Sequence, residues 1–170
     1  ALSSRTLITW SEKADGLEGR DLEDVAAEMG LSVDAAIDAI SPAGAIYFMM
    51  DERDVKAIMA YPATMIGSDG LPHDRHPHPR LWGTFPRVLG HYSRDEGLFP
   101  LETAVHKMTG LTARTFGLKD RGILIEGAYA DLVLFDPASV IDTATFERPE
   151  TPAAGISQVF VNGQSVWHDG

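Results

Sequence analysis

Cysteine is absent from this sequence of 170 residues, so neither a disulfide nor a thiolate metal site can form within it. Basic residues are scarce: 14 Lys and Arg stand against 25 Asp and Glu, a formal charge of −11 with histidine neutral. A surface of that sign repels phosphate backbones and anionic lipid, which argues against nucleic-acid and membrane partners. No apolar run approaches the roughly 18 residues that a membrane-spanning helix needs. The phosphate-binding P-loop, the G-x-G-x-x-G fingerprint and the G-x-S-x-G elbow are all missing, which excludes nucleotide binding by a standard motif. The opening ALSSRTLITW has no basic flank and no long apolar stretch, so it does not read as a secretory leader. It also lacks an initiator methionine, which raises the expectation that the chain is a piece of a longer protein. A cytoplasmic location suits these absences.

What is present is ordinary globular composition, with 44% hydrophobic and 23% charged residues. Arg5–Trp10 alternates as a short strand, and the polar stretch SEKADGLEGR follows as a loop. Leu22, Val25, Ala26 and Met29 then line one helix face, which Gly30 can end. The acidic Asp21, Glu23, Asp24 and Glu28 lie largely opposite and read as a solvated surface. Ser32 is placed to cap a second helix carrying Ala36, Ile37 and Ile40.

The middle of the chain reads as α/β alternation. Ala45–Met49 has the pattern of a strand buried on both faces, and Asp54–Met59 that of a helix. Thr64–Ile66 reads as a further apolar strand, running straight into Gly67-Ser68-Asp69-Gly70. Helices are predicted around Pro86–Tyr92, Leu101–Met108 and Thr112–Phe116. Beyond Gly117 the pattern turns to strands at Ile123–Ile125, Asp131–Phe135, Ser157–Val161 and Ser165–Trp167. Asn162-Gly163 marks a hairpin, because both central residues of a type I′ turn need positive φ. Two strands before Gly117 are too few to close a sheet alone, which again points to a missing partner.

Three features could carry chemistry. Asp69 emerges at the end of an apolar strand, where parallel α/β folds build their sites, but Ser-Asp-Gly is also a common turn. In LPHDRHPHPR, the prolines extend the backbone so that His76 and His78 fall on one side, with His73 close by. That is either an H-x-H metal pair in want of a third ligand or a solvated loop. In AIYFMMDERD, Phe48 and Met49 read as core, whereas Tyr47 and Met50 are either core or the wall of an apolar pocket.

The blocks MIGSDGLPHDRHPHPRLWGTFPRVLG, LETAVHKMTGLTARTFGLKDRG and GAYADLVLFDP, with IDTATFERP and VNGQSVW, resemble the D-aminoacylases. These are N-acyl-D-amino-acid deacylases of the amidohydrolase superfamily. The resemblance runs from RTLITW through nearly the whole chain, and is to the C-terminal portion of such an enzyme only. It implies an α/β fold: the last part of a metal-dependent (β/α)8 barrel, then strands of a small β-sandwich. Residues 1–44 would be an excursion covering the site, 45–117 the last barrel strands and helices, and 118–170 the sandwich share.

The resemblance further implies that Asp69 is the carboxylate on the eighth barrel strand. There it touches a zinc site, takes a proton from the metal-bound water and passes it to the leaving amine. Tyr47 and Met50 would line the pocket for the D-amino-acid side chain, favouring Met-, Leu- or Phe-like substrates. The main zinc ligands, a cysteine among them, would lie upstream of this chain, so Asp69 is at most a weak metal contact. His76, His78 and Arg80 would then shape the rim after Asp69. Expected partners are a small N-acyl-D-amino acid and the missing N-terminal part of the barrel; the isolated chain is expected to be inactive. Two other readings stay open: a non-catalytic binding or assembly module, and an N-acyl-D-glutamate or N-acyl-D-aspartate deacylase.

Overall fold

A computed structural model describes residues 5–168. The first unit is a two-stranded antiparallel sheet of β1 (Thr6–Ser11) and β2 (Ala43–Tyr47), with a register irregularity between Ile8 and Trp10. Between them in sequence run α1 (Leu22–Met29) and α2 (Val33–Ile40). Their ends follow from local chemistry. The Asp21 carboxylate accepts from the Glu23 N–H at 3.0 Å, and Gly30 closes α1 at φ 67°. The Ser32 hydroxyl accepts from the Ala35 N–H at 3.3 Å to open α2. Ile8, Leu22, Val25, Ala26, Ala36 and Ile40 meet as one core. Ser11, buried among them, donates to the Ile40 carbonyl at 2.6 Å and so ties β1 to the end of α2.

α3 (Glu52–Ala60) starts from the Asp51 cap, and the chain then runs irregularly to α4 (Arg80–Arg87). Pro86 sits inside α4 without an N–H to give to the preceding turn, and the helix widens to π spacing over Val88–Asp95. α5 (Leu101–Met108) and α6 (Gly110–Phe116) follow, and Gly117 ends α6 at φ 68°. Past Gly117 the described residues contain strands and loops only: β3 (Leu132–Phe135), β4 (Ile156–Val161) and β5 (Gln164–His168), antiparallel in that order. Asn162 and Gly163 make the β4–β5 turn at φ 52° and 76°. Val88, Leu89, Tyr92, Phe99, Ala104 and Val140 form a second core, against which Ile66, Phe135 and Ile156 pack. No helix among the described residues is long and apolar enough to cross a membrane.

Several local expectations change. Ala45–Met49 is replaced by β2 two residues earlier, paired with β1 alone, and only Ile46 in it is buried. Met49, read as core, is 67% exposed. Thr64–Ile66 is apolar but joins no ladder, because the sheets of the described residues offer it no neighbouring strand. Ile123–Ile125 is irregular and exposed for the same reason. The helix expected around Pro86–Tyr92 begins six residues sooner, at Arg80.

In place of a ladder, Lys107 of α5 holds the segment before Asp69. Its buried ammonium donates to the carbonyls of Tyr61 at 2.6 Å and Thr64 at 3.2 Å, while its own carbonyl accepts from the Ile66 N–H at 3.2 Å. Burial pushes the Lys107 pKa down, and those two carbonyls are its compensation.

The π segment is pinned to the C-terminal part at Gly90, where an added Cβ would meet the Val140 carbonyl oxygen at 2.2 Å. Gly90→Ala should therefore cost about 1–3 kcal/mol by overpacking. Thermal unfolding should show a midpoint several degrees lower, and an unchanged midpoint would contradict this contact.

Candidate active site

The site is built on the turn that follows the Lys107-held segment. Asp69 adopts φ 48°, a left-handed conformation that Asp tolerates better than most residues. Gly70 beside it has no room for a side chain, since a Cβ would lie 2.6 Å from Leu81 Cδ1 and 3.0 Å from Leu81 Cα. The turn is thus pressed against the first turn of α4. Arg80, the first residue of that helix, grips it twice: Nε donates to the Asp69 carbonyl at 2.8 Å and Nη2 lies 2.7 Å from Oδ2. The Asp69 side chain is 79% exposed, so its carboxylate faces outward with one oxygen on Arg80.

The histidine loop packs beside this turn. His76 joins the main chain of β1, its N–H donating to the Thr9 carbonyl at 3.1 Å. Its Nε2 lies 2.7 Å from the Phe146 carbonyl oxygen and donates to it. His78 sets its ring edge-on to Phe146 at 5.1 Å, and its Nδ1 accepts from the Arg80 N–H at 2.9 Å. Burial first, and the Arg80 charge second, push the His78 pKa down to about 4. The two rings do converge on one side, but what they meet is Phe146. His73 is exposed, 3.6 Å from the Asp74 carboxylate. Among the described residues no three His, Cys, Asp or Glu gather as a metal site.

Tyr47 ends β2 and is 55% exposed, and Met50 beyond it is 73% exposed. Phe48, between them, is half-buried against Phe146, with ring centroids 4.7 Å apart. Phe146 therefore joins the Tyr47–Met50 segment to His78, and His78 joins it to Arg80 and Asp69. Sequence reasoning missed Phe146 and Lys107. The one available signal for Phe146 was a lone aromatic ring within the polar run Thr143–Glu147. An apolar cavity of about 280 Å³ lies along the other side of the segment, lined by Met59, Ile66, Gly67, Arg87 and Tyr92. A larger polar cleft of about 490 Å³, by Arg20, Asp21 and Asp24, includes none of the candidate residues.

Asp69 is thus an exposed carboxylate on a left-handed turn, in a chain of mixed helix and strand. The sequence matches the amidohydrolase family over residues 12–167, and the chain belongs to that family. It is 66% identical over 168 residues to a D-aminoacylase of Alcaligenes xylosoxydans xylosoxydans, covering 99% of this chain and 35% of that protein. It superposes on a D-aminoacylase structure described as having a binuclear metal centre, with TM-score 0.95 and 67% identity over 99% of this chain. It also superposes on N-acyl-D-glutamate deacylase from Bordetella bronchiseptica, complexed with zinc and a phosphonate inhibitor, with TM-score 0.94 and 51% identity over 95% of this chain. These two structures are matched over 35% and 34% of their own lengths, so the chain spans about a third of its relatives. The fold class is that of an amidohydrolase barrel in part, followed by a small sheet domain.

The half-buried state of His78 has a measurable consequence. Neutral when folded and protonated when unfolded, it makes the unfolded chain bind the extra proton between about pH 6.5 and 4. Its contribution is full above pH 6.5 and is lost as pH falls through that window. Stability measured against a His78→Asn variant should drop by on the order of 2 kcal/mol more in the wild type between pH 7 and 4. A difference that stays constant with pH would contradict the half-buried, neutral imidazole.

Proposed function

We propose that this chain supplies the C-terminal portion of a zinc-dependent N-acyl-D-amino-acid deacylase, which hydrolyses the amide bond to a D-amino acid and a carboxylate. The observation that carries the reading is the presentation of Asp69: an outward-facing carboxylate, held on a turn between Arg80 and the Lys107-anchored segment. The D-aminoacylase and N-acyl-D-glutamate deacylase relatives support the reaction class, and the zinc in the latter supports the metal.

Asp69 offers an oxygen donor of a kind zinc accepts, but zinc takes three or four protein ligands. One carboxylate fits as a single member of such a centre, so the other donors must come from outside this chain. When bound, the ion polarises the amide carbonyl and lowers the pKa of the attacking water.

The residues of this chain do the proton work. As water adds to the amide carbon, Asp69 takes its proton at Oδ1, the oxygen not held by Arg80. The same carboxyl then gives that proton to the amide nitrogen, so the C–N bond breaks with a neutral amine leaving. The Arg80–Asp69 pair is exposed and contributes little stability, so the carboxylate can shift toward substrate, while the Nε bond to its main chain keeps the turn in place. Tyr47 and Met50 form an apolar wall suited to Met-, Leu- or Phe-like side chains. Without the remaining ligands, the 170 residues alone are inactive.

The test is Asp69→Asn in the intact gene product. Asn tolerates the left-handed turn but cannot accept the proton. The kcat for an N-acetyl-D-amino acid should fall about 10²–10⁴-fold with KM little changed. Turnover within a few-fold of wild type would remove Asp69 from the mechanism.

A further inference from the structure

The first turn of α4 has an unusual opening. Pro79 stands at the cap position and has no side-chain donor or acceptor, so the helix starts without the usual hydroxyl or carboxylate cap. The N–H groups of Leu81, Trp82 and Gly83 go to the carbonyls of His78 and Pro79 at 2.9–3.2 Å. The Arg80 N–H is taken instead by an imidazole, His78 Nδ1. Arg80 is also the residue whose side chain holds both the Asp69 carbonyl and its carboxylate. The main chain of Arg80 is thus fixed by His78, and the turn of Asp69 is fixed by Arg80.

His78 is itself fixed from the far side. The Phe146 ring meets it edge-on, and the Phe146 main chain is held by His76, two residues before His78. Phe146 lies 70 residues along the chain from His76, in the segment between β3 and β4. A contiguous series of contacts therefore runs from that C-terminal segment through His78 and Arg80 to the carboxylate.

We propose that His78, braced by Phe146, is a positioning residue for Asp69, acting through the Arg80 main chain. The inference rests on the reading of Asp69 as the proton-transfer group and goes beyond it, because neither His78 nor Phe146 touches the reacting atoms. An N–H acceptor is required at one place, the position of Nδ1, with the other ring nitrogen carrying the proton. Losing it strands the Arg80 N–H and loosens the register of α4 against the Asp69 turn. Misplacing a catalytic group by about 1 Å can cost on the order of a hundredfold in rate.

The test uses the intact, zinc-loaded protein with four variants measured beside Asp69→Asn. His78→Asn keeps an oxygen close to the Nδ1 position, whereas His78→Gln carries it near Nε2. His78→Leu removes it, and Phe146→Leu removes the ring edge. The expected result is a 10–100-fold lower kcat in His78→Leu and His78→Gln, with KM within threefold of wild type and bound zinc unchanged. His78→Asn should recover most of that loss, and Phe146→Leu should fall between. If His78→Leu fails to fold, the Asn-over-Gln order still decides. Equal activity of the Asn and Gln variants would overturn the inference, as would a His78→Leu enzyme within twofold of wild type. If Asp69→Asn keeps full activity, the reading of Asp69 fails instead. The ¹⁵N resonances of His78 then test the linkage alone, expected as a neutral ring protonated at Nε2, and a proton on Nδ1 would contradict it.

Discussion

The ammonium of Lys107 is the constraint from which the candidate site is hung. The segment from Tyr61 to Ile66 finds no strand beside it among the described residues, and its second half, Thr64–Ile66, is half-buried. Such backbone is costly to bury unless its polar groups are met. Lys107 meets three of them, two carbonyls with its side chain and one N–H with its own carbonyl. The burial of that charge is tolerable only because those carbonyls solvate it. Ile66 is then packed into the second core, and the turn that follows must leave the core where Arg80 waits for it.

From that anchor the site spreads by contact. Gly70 lets the turn approach Leu81, Arg80 closes on Asp69, His78 closes on Arg80, and Phe146 backs His78 while also stacking on Phe48. Three stretches distant in sequence thus meet around one aromatic ring. Tyr47 and Met50 flank Phe48, so the same ring joins the Asp69 turn, through His78 and Arg80, to the segment proposed as the wall of a substrate pocket. His76 and His78 are each held by contacts within the chain. His76 bonds a main-chain carbonyl, and His78 is half-buried and neutral, with its Nδ1 accepting from the Arg80 N–H.

Much of the local fold was legible because it is governed by short-range rules. Gly30 and Gly117 end helices where φ must turn positive, Ser32 opens one, and Asn162-Gly163 makes a two-residue turn that suits twisted strands. Asp69 was visible as a carboxylate at the end of an apolar run, and the close approach of Leu81 accounts for Gly70 beside it. What stayed hidden depends on distant partners. Thr64–Ile66 looks like a strand from its side chains, yet a strand exists only beside another. The widening at Val88–Asp95 follows the local Pro86, whereas the close approach of Val140 to Gly90 within it is not local. Phe146 could not be assigned from a polar run whose importance lies in contacts across 70 residues.

On the proposed function, this chain presents one carboxylate to a zinc centre that it cannot form alone. The direct measurement is zinc content after exhaustive dialysis, for the intact gene product and for the separately expressed 170-residue chain. Stoichiometric zinc in the first and none above background in the second is the predicted result. Stoichiometric zinc held by the 170 residues alone would contradict it, since a complete metal site would then have to exist within this chain.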